Sequence, residues 1–313
     1  MAQGWSERLM KLAVKLIGRR TLWRVGRLVY CTARGEGQNR FETNGEAALQ
    51  RRLARHGART PDFFVCLDIG ANVGHWSESL VCACREAGVE RLRLIAFEPS
   101  LASREELNRC FERIRGNYQL EVRASAIGDY IGTAHFDMSG GTAGTNSLVL
   151  DTGNRSATSV PITTLSQLFA EGAIDRALLV KSDVEGFDPL VIKGALPLLR
   201  EGRIGVLQFE YNGRWIASRS FLKDIFDLVT GLPYQIGKLV SDGVELYEEW
   251  HHELERFIET NYVLVRNDLL SAAGARRGWF DAYNTYVTAA TNDVESPASR
   301  ASRFLIESGL PKD

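Results

Sequence analysis

The chain has 313 residues, a formal net charge of −1, 44% hydrophobic and 25% charged residues, the balance of a globular protein rather than a disordered or fibrous one. No apolar run approaches the roughly 20 residues of a membrane span, and Arg8, Lys11, Lys15 and Arg19 interrupt the N-terminus where a secretory signal would place its apolar stretch. Residues 1–30 hold seven basic side chains against Glu7 alone, leaving the remainder at −7; basic charge confined to one end argues against a nucleic-acid binder.

In chain order, residues 5–17 fit a helix with Trp5, Leu9, Leu12, Ala13 and Leu16 on one face and Arg8, Lys11 and Lys15 on an adjacent stripe. Gly18 interrupts it, and a second short helix is expected over 21–30. This basic amphipathic segment suits a helical cap, a homodimer element, or a peripheral contact with the inner face of an anionic membrane. A loop over 34–39 precedes a helix over 44–56. The five cysteines are unevenly spaced and match no zinc pattern, so they are expected as reduced structural thiols in a cytoplasmic protein.

From residue 62 strands and helices alternate: strand 63–69, helix 74–86, strand 92–97, helix 103–113, strand 120–127. The spacing predicts a parallel sheet with helices on both faces. Residues 130–163 are rich in Gly, Ser and Thr and read as an insertion with short strands at 135–138 and 159–162. A fourth strand, 178–184, leads to a helix over 188–200, and a fifth, 205–211, to a helix over 218–230. Segments 234–239 and 262–266 are expected to complete the sheet as an edge hairpin.

Ligands of open α/β sheets bind beyond the carboxyl ends of the strands, and four strand ends here carry chemistry. The first gives Asp68-Ile-Gly70-Ala-Asn72-Val-Gly74, whose glycines allow a tight turn and close backbone approach. Its Gly-x-x-x-Gly spacing is not the dinucleotide pattern. The second ends in Glu98, a carboxylate able to take both hydroxyls of a ribose, and the third in Ser125-Ala126-Ile127, small and apolar enough for a nucleobase face. The fourth, "LLVKSDVEGFDPL", breaks an apolar run with Lys181, Asp183 and Glu185, charges that need partners if buried. Together these favour a nucleoside ligand without a pyrophosphate.

The stretches "CLDIGANVGHWSESL", "LIAFEPS", "SAIGD", "VPITTLSQL" and "VKSDVEGFDPLVIKGA" resemble the FkbM family of S-adenosylmethionine-dependent O-methyltransferases over roughly 60–240. The family tends to carry Asp after Thr-Leu, where Ser166 stands here. The resemblance implies the class I methyltransferase (Rossmann-like) α/β fold: seven mostly parallel strands, the last antiparallel, with helices on both faces. An N-terminal helical extension over 1–58 and a tail over 271–313 would flank a methyltransferase domain at 59–270. It also implies methyl transfer from S-adenosyl-L-methionine to a hydroxyl of a saccharide, glycolipid or glycosylated natural product. Asp68, Gly70, Asn72 and Gly74 would form the cofactor loop, with Asp68 reaching the methionine amino group directly or through water. Glu98 would hold the ribose, and Ala126 and Ile127 would line the adenine.

Methyl transfer to a hydroxyl requires in-line alignment and removal of a proton. Asp183 is the first choice to orient or deprotonate the acceptor, with Glu185 supporting and Lys181 pairing with Asp183 or holding a substrate oxygen. A second mechanism places Mg²⁺ between Asp183 and Glu210. His135, Asn146 and Ser147 are candidates for acceptor contacts. Two other readings stay open: an NAD-type oxidoreductase, and a non-catalytic binding protein that retains the fold.

Overall fold

The structure, a computed structural model, describes residues 2–36, 40–137, 147–148, 157–172 and 174–288. The chain starts with two helices, α1 (Ala2–Ile17) and α2 (Arg19–Ala33), followed by α3 (Glu46–Gly57). The alternating region then gives β1 (Phe64–Ile69), α4 (His75–Ala87), β2 (Leu92–Phe97), α5 (Leu101–Ile114) and β3 (Gln119–Arg123). The Gly/Ser/Thr-rich stretch supplies β4 (Ala126–Gly128), β5 (Gly132–Asp137), β6 (Ser147–Leu148) and β7 (Ala157–Thr164). Next come α6 (Leu165–Ala170), β8 (Ala177–Ser182), α7 (Asp188–Gly194), α8 (Leu196–Arg200), β9 (Ile204–Tyr211) and α9 (Leu222–Val229). The chain closes with β10 (Tyr234–Val240), β11 (Gly243–Tyr247), β12 (Thr260–Arg266), α10 (Leu270–Ala273), β13 (Ala275–Phe280) and β14 (Tyr286–Thr288).

Among the described residues the main sheet has ten strands in the order β14-β13-β11-β10-β12-β9-β8-β1-β2-β3. From β3 to β9 neighbours are parallel, while β12 runs antiparallel to both β9 and β10. These seven strands carry out the expected class I arrangement, with the last in chain order antiparallel. Strand alternation splits the core between the two faces. Phe64, Cys66, Leu179 and Val206 pack toward α3, α4 and α5, whereas Leu67, Ile69, Val180 and Leu207 pack toward α6 to α9. The five cysteines are free thiols, four of them buried.

Several expectations change. β10 and β12 pair, but β11 intervenes in the chain and three strands lie outside them, so they form no edge hairpin. The expected third strand is two: β3 belongs to the main sheet and β4 to a separate sheet in the order β4-β7-β5-β6, which takes Ala126 and Ile127 out of the main sheet. Leu49, Leu53 and Ala54 of α3 are in the core with α4, and β13 pairs with β11. The apolar face of α3 and the short charged strand at Ala275–Phe280 thus belong to the same body as the strand ends described next.

Candidate active site

The loop after β1 is held from three sides. The amides of Gly70 and Ala71 donate to the Phe97 carbonyl (3.0 and 3.1 Å), and the Asp183 amide donates to the Ile69 carbonyl (3.0 Å). Gly70 has φ 76°, and a Cβ there would lie 1.9 Å from the Asp183 carbonyl oxygen; only glycine lets the ends of β1 and β8 meet this closely. Asn72 and Glu185 also sit at positive φ, 47° and 57°. Left-handed backbone at non-glycine residues is uncommon and gathers where surrounding contacts enforce it. Here the Asn72 amide donates to Glu98 Oε2 (2.9 Å), and Glu185 forms an ion pair with Arg214 (3.1 Å).

These turns surround a cleft whose walls include Gly70, Asn72, Glu98, Ala126, Ile127, Asp183 and Glu185. All four strand ends singled out by the sequence therefore meet at one cavity. The Glu98 carboxylate is buried; besides Asn72 it accepts the Ser100 amide (2.8 Å). Burial raises its pKa against those two amide hydrogen bonds, and its oxygens keep acceptor capacity for ribose hydroxyls. Phe136, Phe97 and Pro99 complete the apolar wall.

Beyond Gly70, Asn72 and Asp183 a second, more open hollow of about 1120 Å³ is bordered by Phe41, Glu46, His75, Trp76 and Lys181. Lys181 is buried between two carboxylates, 3.4 Å from Asp68 and 3.4 Å from Asp183. Burial opposes its charge, but Asp68 and Asp183 outweigh burial and hold the ammonium above its usual range. Asp68 has no exposed surface; it accepts the Ser77 hydroxyl (2.6 Å) and borders neither hollow. Asp68 braces the loop from behind, between Lys181 and Ser77. Gly74 likewise lies outside the cleft walls: its Cβ would come 2.8 Å from Leu107, so it serves the packing of α4 on α5.

Three acids around Asp183 are perturbed in the same direction. Glu185 has its pKa pushed up to about 7 by burial and then by Asp183, with Arg214 opposing. Asp188, fully buried and taking the Ser182 hydroxyl (2.7 Å), is raised to about 7 by burial and Asp183. Glu210 is raised to about 9, again by burial first and Asp183 second.

Mg²⁺ fits less well. Among the described residues no group of three or more His, Cys, Asp or Glu side chains is placed to share a metal ion. The donor set stops at Asp183 and Glu210, and Glu210 Oε2 already accepts the Asn212 amide (2.5 Å). His135 does not reach the cleft. It pairs with Ser159 across β5 and β7 and is exposed, whereas the next residue, Phe136, faces inward, as strand alternation requires. Asn146 lies outside the described residues; Ser147 has its backbone paired with Asp137 in the β5–β6 ladder.

Sequence reasoning missed Glu46. From α3 its carboxylate accepts Gln208 Nε2 (2.6 Å) and Asn261 Nδ2 (3.3 Å), and it borders the second hollow. The amphipathic pattern of α3 marks a packed helix but says nothing of where its one buried acid points.

The family profile described as the methyltransferase FkbM domain matches residues 68–256. The chain belongs to the FkbM methyltransferase family. That membership goes against the oxidoreductase reading. No curated protein matches the chain by sequence. Among solved structures, methyltransferase FkbM from Methylobacillus flagellatus KT is 14% identical with a TM-score of 0.43, covering 69% of this chain and 47% of its own. The FkbM chain spans more than this one: the match takes in about half of that relative's length. The METTL16 methyltransferase domain is 11% identical (TM-score 0.39; 69% of this chain and 64% of that one). Precorrin-6y C5,15-methyltransferase from Geobacter metallireducens GS-15 is also 11% identical (TM-score 0.33; 69% and 88%).

Proposed function

We propose that this FkbM methyltransferase transfers the methyl group of S-adenosylmethionine to a hydroxyl of a saccharide, glycolipid or glycosylated natural product. The observation that carries the reading is the convergence of Gly70, Asn72, Glu98, Ala126, Ile127, Asp183 and Glu185 on one cleft. When bound, the cofactor supplies a methyl group made electrophilic by a sulfonium. Glu98 would take the ribose hydroxyls, Ala126 and Ile127 the adenine face, and the turn at Gly70–Asn72 the methionine end.

Asp183 and Glu185 line the cleft and would present carboxylates to the sulfonium, each beside one basic neighbour, Lys181 and Arg214. Asp183, 39% exposed at its side chain, would orient the acceptor hydroxyl or accept its proton, with Glu185 beside it. Acceptor entry through the hollow bordered by Trp76 and Lys181 would bring a polyhydroxyl ligand to Asp183. Lys181 would hold Asp183 in place. No step in this scheme requires Mg²⁺.

Calorimetric titration with S-adenosylhomocysteine tests the cofactor assignment. Wild type is expected to bind in the micromolar range. Glu98→Ala is expected to weaken binding by roughly 10- to 100-fold, the worth of hydrogen bonds to a charged group. No binding to folded wild type would sink the cofactor assignment. Binding untouched by Glu98→Ala would instead reject the ribose role. A saccharide screen with labelled methyl donor then separates an enzyme from a binding protein that retains the fold.

A further inference from the structure

The helices α1 and α2, of 16 and 15 residues, are marginal in water unless an apolar face is covered. Here those faces are open. Leu9, Leu12 and Leu16 on α1 and Val25 and Val29 on one side of α2 are each between 47% and 74% exposed. Beside them runs a second pattern: Arg8, Lys11 and Lys15 on α1, and Arg20, Arg24 and Arg27 on α2, recur at three- and four-residue spacing. The arm is fastened at its base. The Tyr30 hydroxyl donates to Glu253 (3.2 Å), and Arg34 forms ion pairs with Glu36 (2.9 Å) and Glu253 (3.3 Å).

We propose that the α1–α2 arm docks on the surface of an anionic lipid bilayer. Its apolar rows would enter the boundary between headgroups and acyl chains, and its arginines and lysines would meet lipid phosphates. Among the described residues no helix is long and apolar enough to cross a membrane, so the arm lies in the interface plane. Charge selects the occupant. A second copy of the arm would set seven more basic residues, with one acid, against the same face, whereas an anionic leaflet neutralises them. Trp23, 70% exposed beside the arginines of α2, has the amphipathic ring that favours the interface. The inference rests on exposure and charge alone and stands apart from the methyl-transfer reading.

Cosedimentation of the full chain with vesicles tests it, comparing pure phosphatidylcholine with equal parts phosphatidylcholine and phosphatidylglycerol. Wild type is expected to bind the anionic vesicles at least about tenfold more tightly, with an affinity that falls as salt rises. The triple variant Arg20→Glu, Arg24→Glu, Arg27→Glu should lose at least about tenfold of that affinity. Its S-adenosylhomocysteine titration and circular dichroism should match wild type, which excludes misfolding. The double variant Trp5→Phe, Trp23→Phe should remove most of a vesicle-induced blue shift in tryptophan fluorescence. Failure to sediment with anionic vesicles overturns the proposal, as does equal binding to both compositions. A charge variant that turns a dimer into a monomer, with vesicle binding unchanged, also overturns it in favour of a second copy.

Discussion

The strand-end cleft and the α1–α2 arm are both rich in charge, yet they handle it in opposite ways. In the cleft each charge is buried against named neighbours: Lys181 lies between Asp68 and Asp183, Glu185 against Arg214, and Glu98 under two amides. In the arm the basic rows stand outside the body beside open apolar faces. A buried charge is fixed by its own chain, because leaving it alone is expensive. An exposed amphipathic helix is completed by something else. Perturbing the cleft should therefore cost stability and ligand affinity together, whereas perturbing the arm should affect association only.

The largest effect is expected from Lys181→Met. It strands Asp68, which has no exposed surface, and breaking such a buried pair costs about 3–5 kcal/mol. Urea denaturation measures the loss. The double variant Asp68→Asn, Lys181→Met should recover much of it, because no unpaired charge remains. A Lys181→Met protein as stable as wild type would mean that Asp68 finds another partner and that the ion pair does not hold the loop.

A smaller effect is expected on the pH dependence of cofactor affinity. Glu185 lines the cleft with its pKa at about 7, so its negative charge develops as pH rises through neutrality. S-adenosylmethionine, a sulfonium, should bind more tightly from pH 6 to 8, by roughly tenfold for one nearby charge. S-adenosylhomocysteine, which lacks that charge, should follow a shallower curve. Arg214 opposes the upward shift, so Arg214→Gln should move the rise to higher pH. Stability runs the other way. The folded state keeps a proton that the unfolded chain releases near pH 4.5, so Glu185's contribution is lost as pH climbs from about 4.5 to about 7. Calorimetry at several pH values reads the affinity; identical curves for the two ligands would remove the electrostatic account of the cleft.

The same contrast explains what could be read in the sequence. Gly70, Glu98, Asp183 and Glu185 were legible because their jobs restrict residue type: one needs positive φ, the others place carboxylates at strand ends. Glu46 was not legible, since it reaches Gln208 across 162 residues of chain through helix packing. Phe136 was missed and His135 chosen because inward and outward positions in a short strand depend on the β5–β7 register, which the polar stretch around it does not reveal. The added strands β11, β13 and β14 escaped for a related reason: Arg276 and Arg277 interrupt the apolar pattern, and pairing with β11 supplies the order. Asp68 was found for the right motif, but its burial behind Lys181 is a fact of packing. The arm was legible as a pattern and silent about its partner.

The smallest effect is the one that isolates the arm. Leu16 is 74% exposed and Leu53 in α3 is fully buried, at 0%, so the same truncation has different physical content at the two sites. Leu53→Ala leaves a cavity between α3 and α4 and should cost about 2–5 kcal/mol. Leu16→Ala removes little buried surface and puts a better helix former at an exposed position, so stability should stay within about 0.5 kcal/mol of wild type. Urea midpoints of the two variants, measured without lipid, make the comparison. If Leu16→Ala cost as much as Leu53→Ala, the arm's apolar face would already be covered in solution. The open surface that argues for a bilayer would then belong to a contact between copies of this chain.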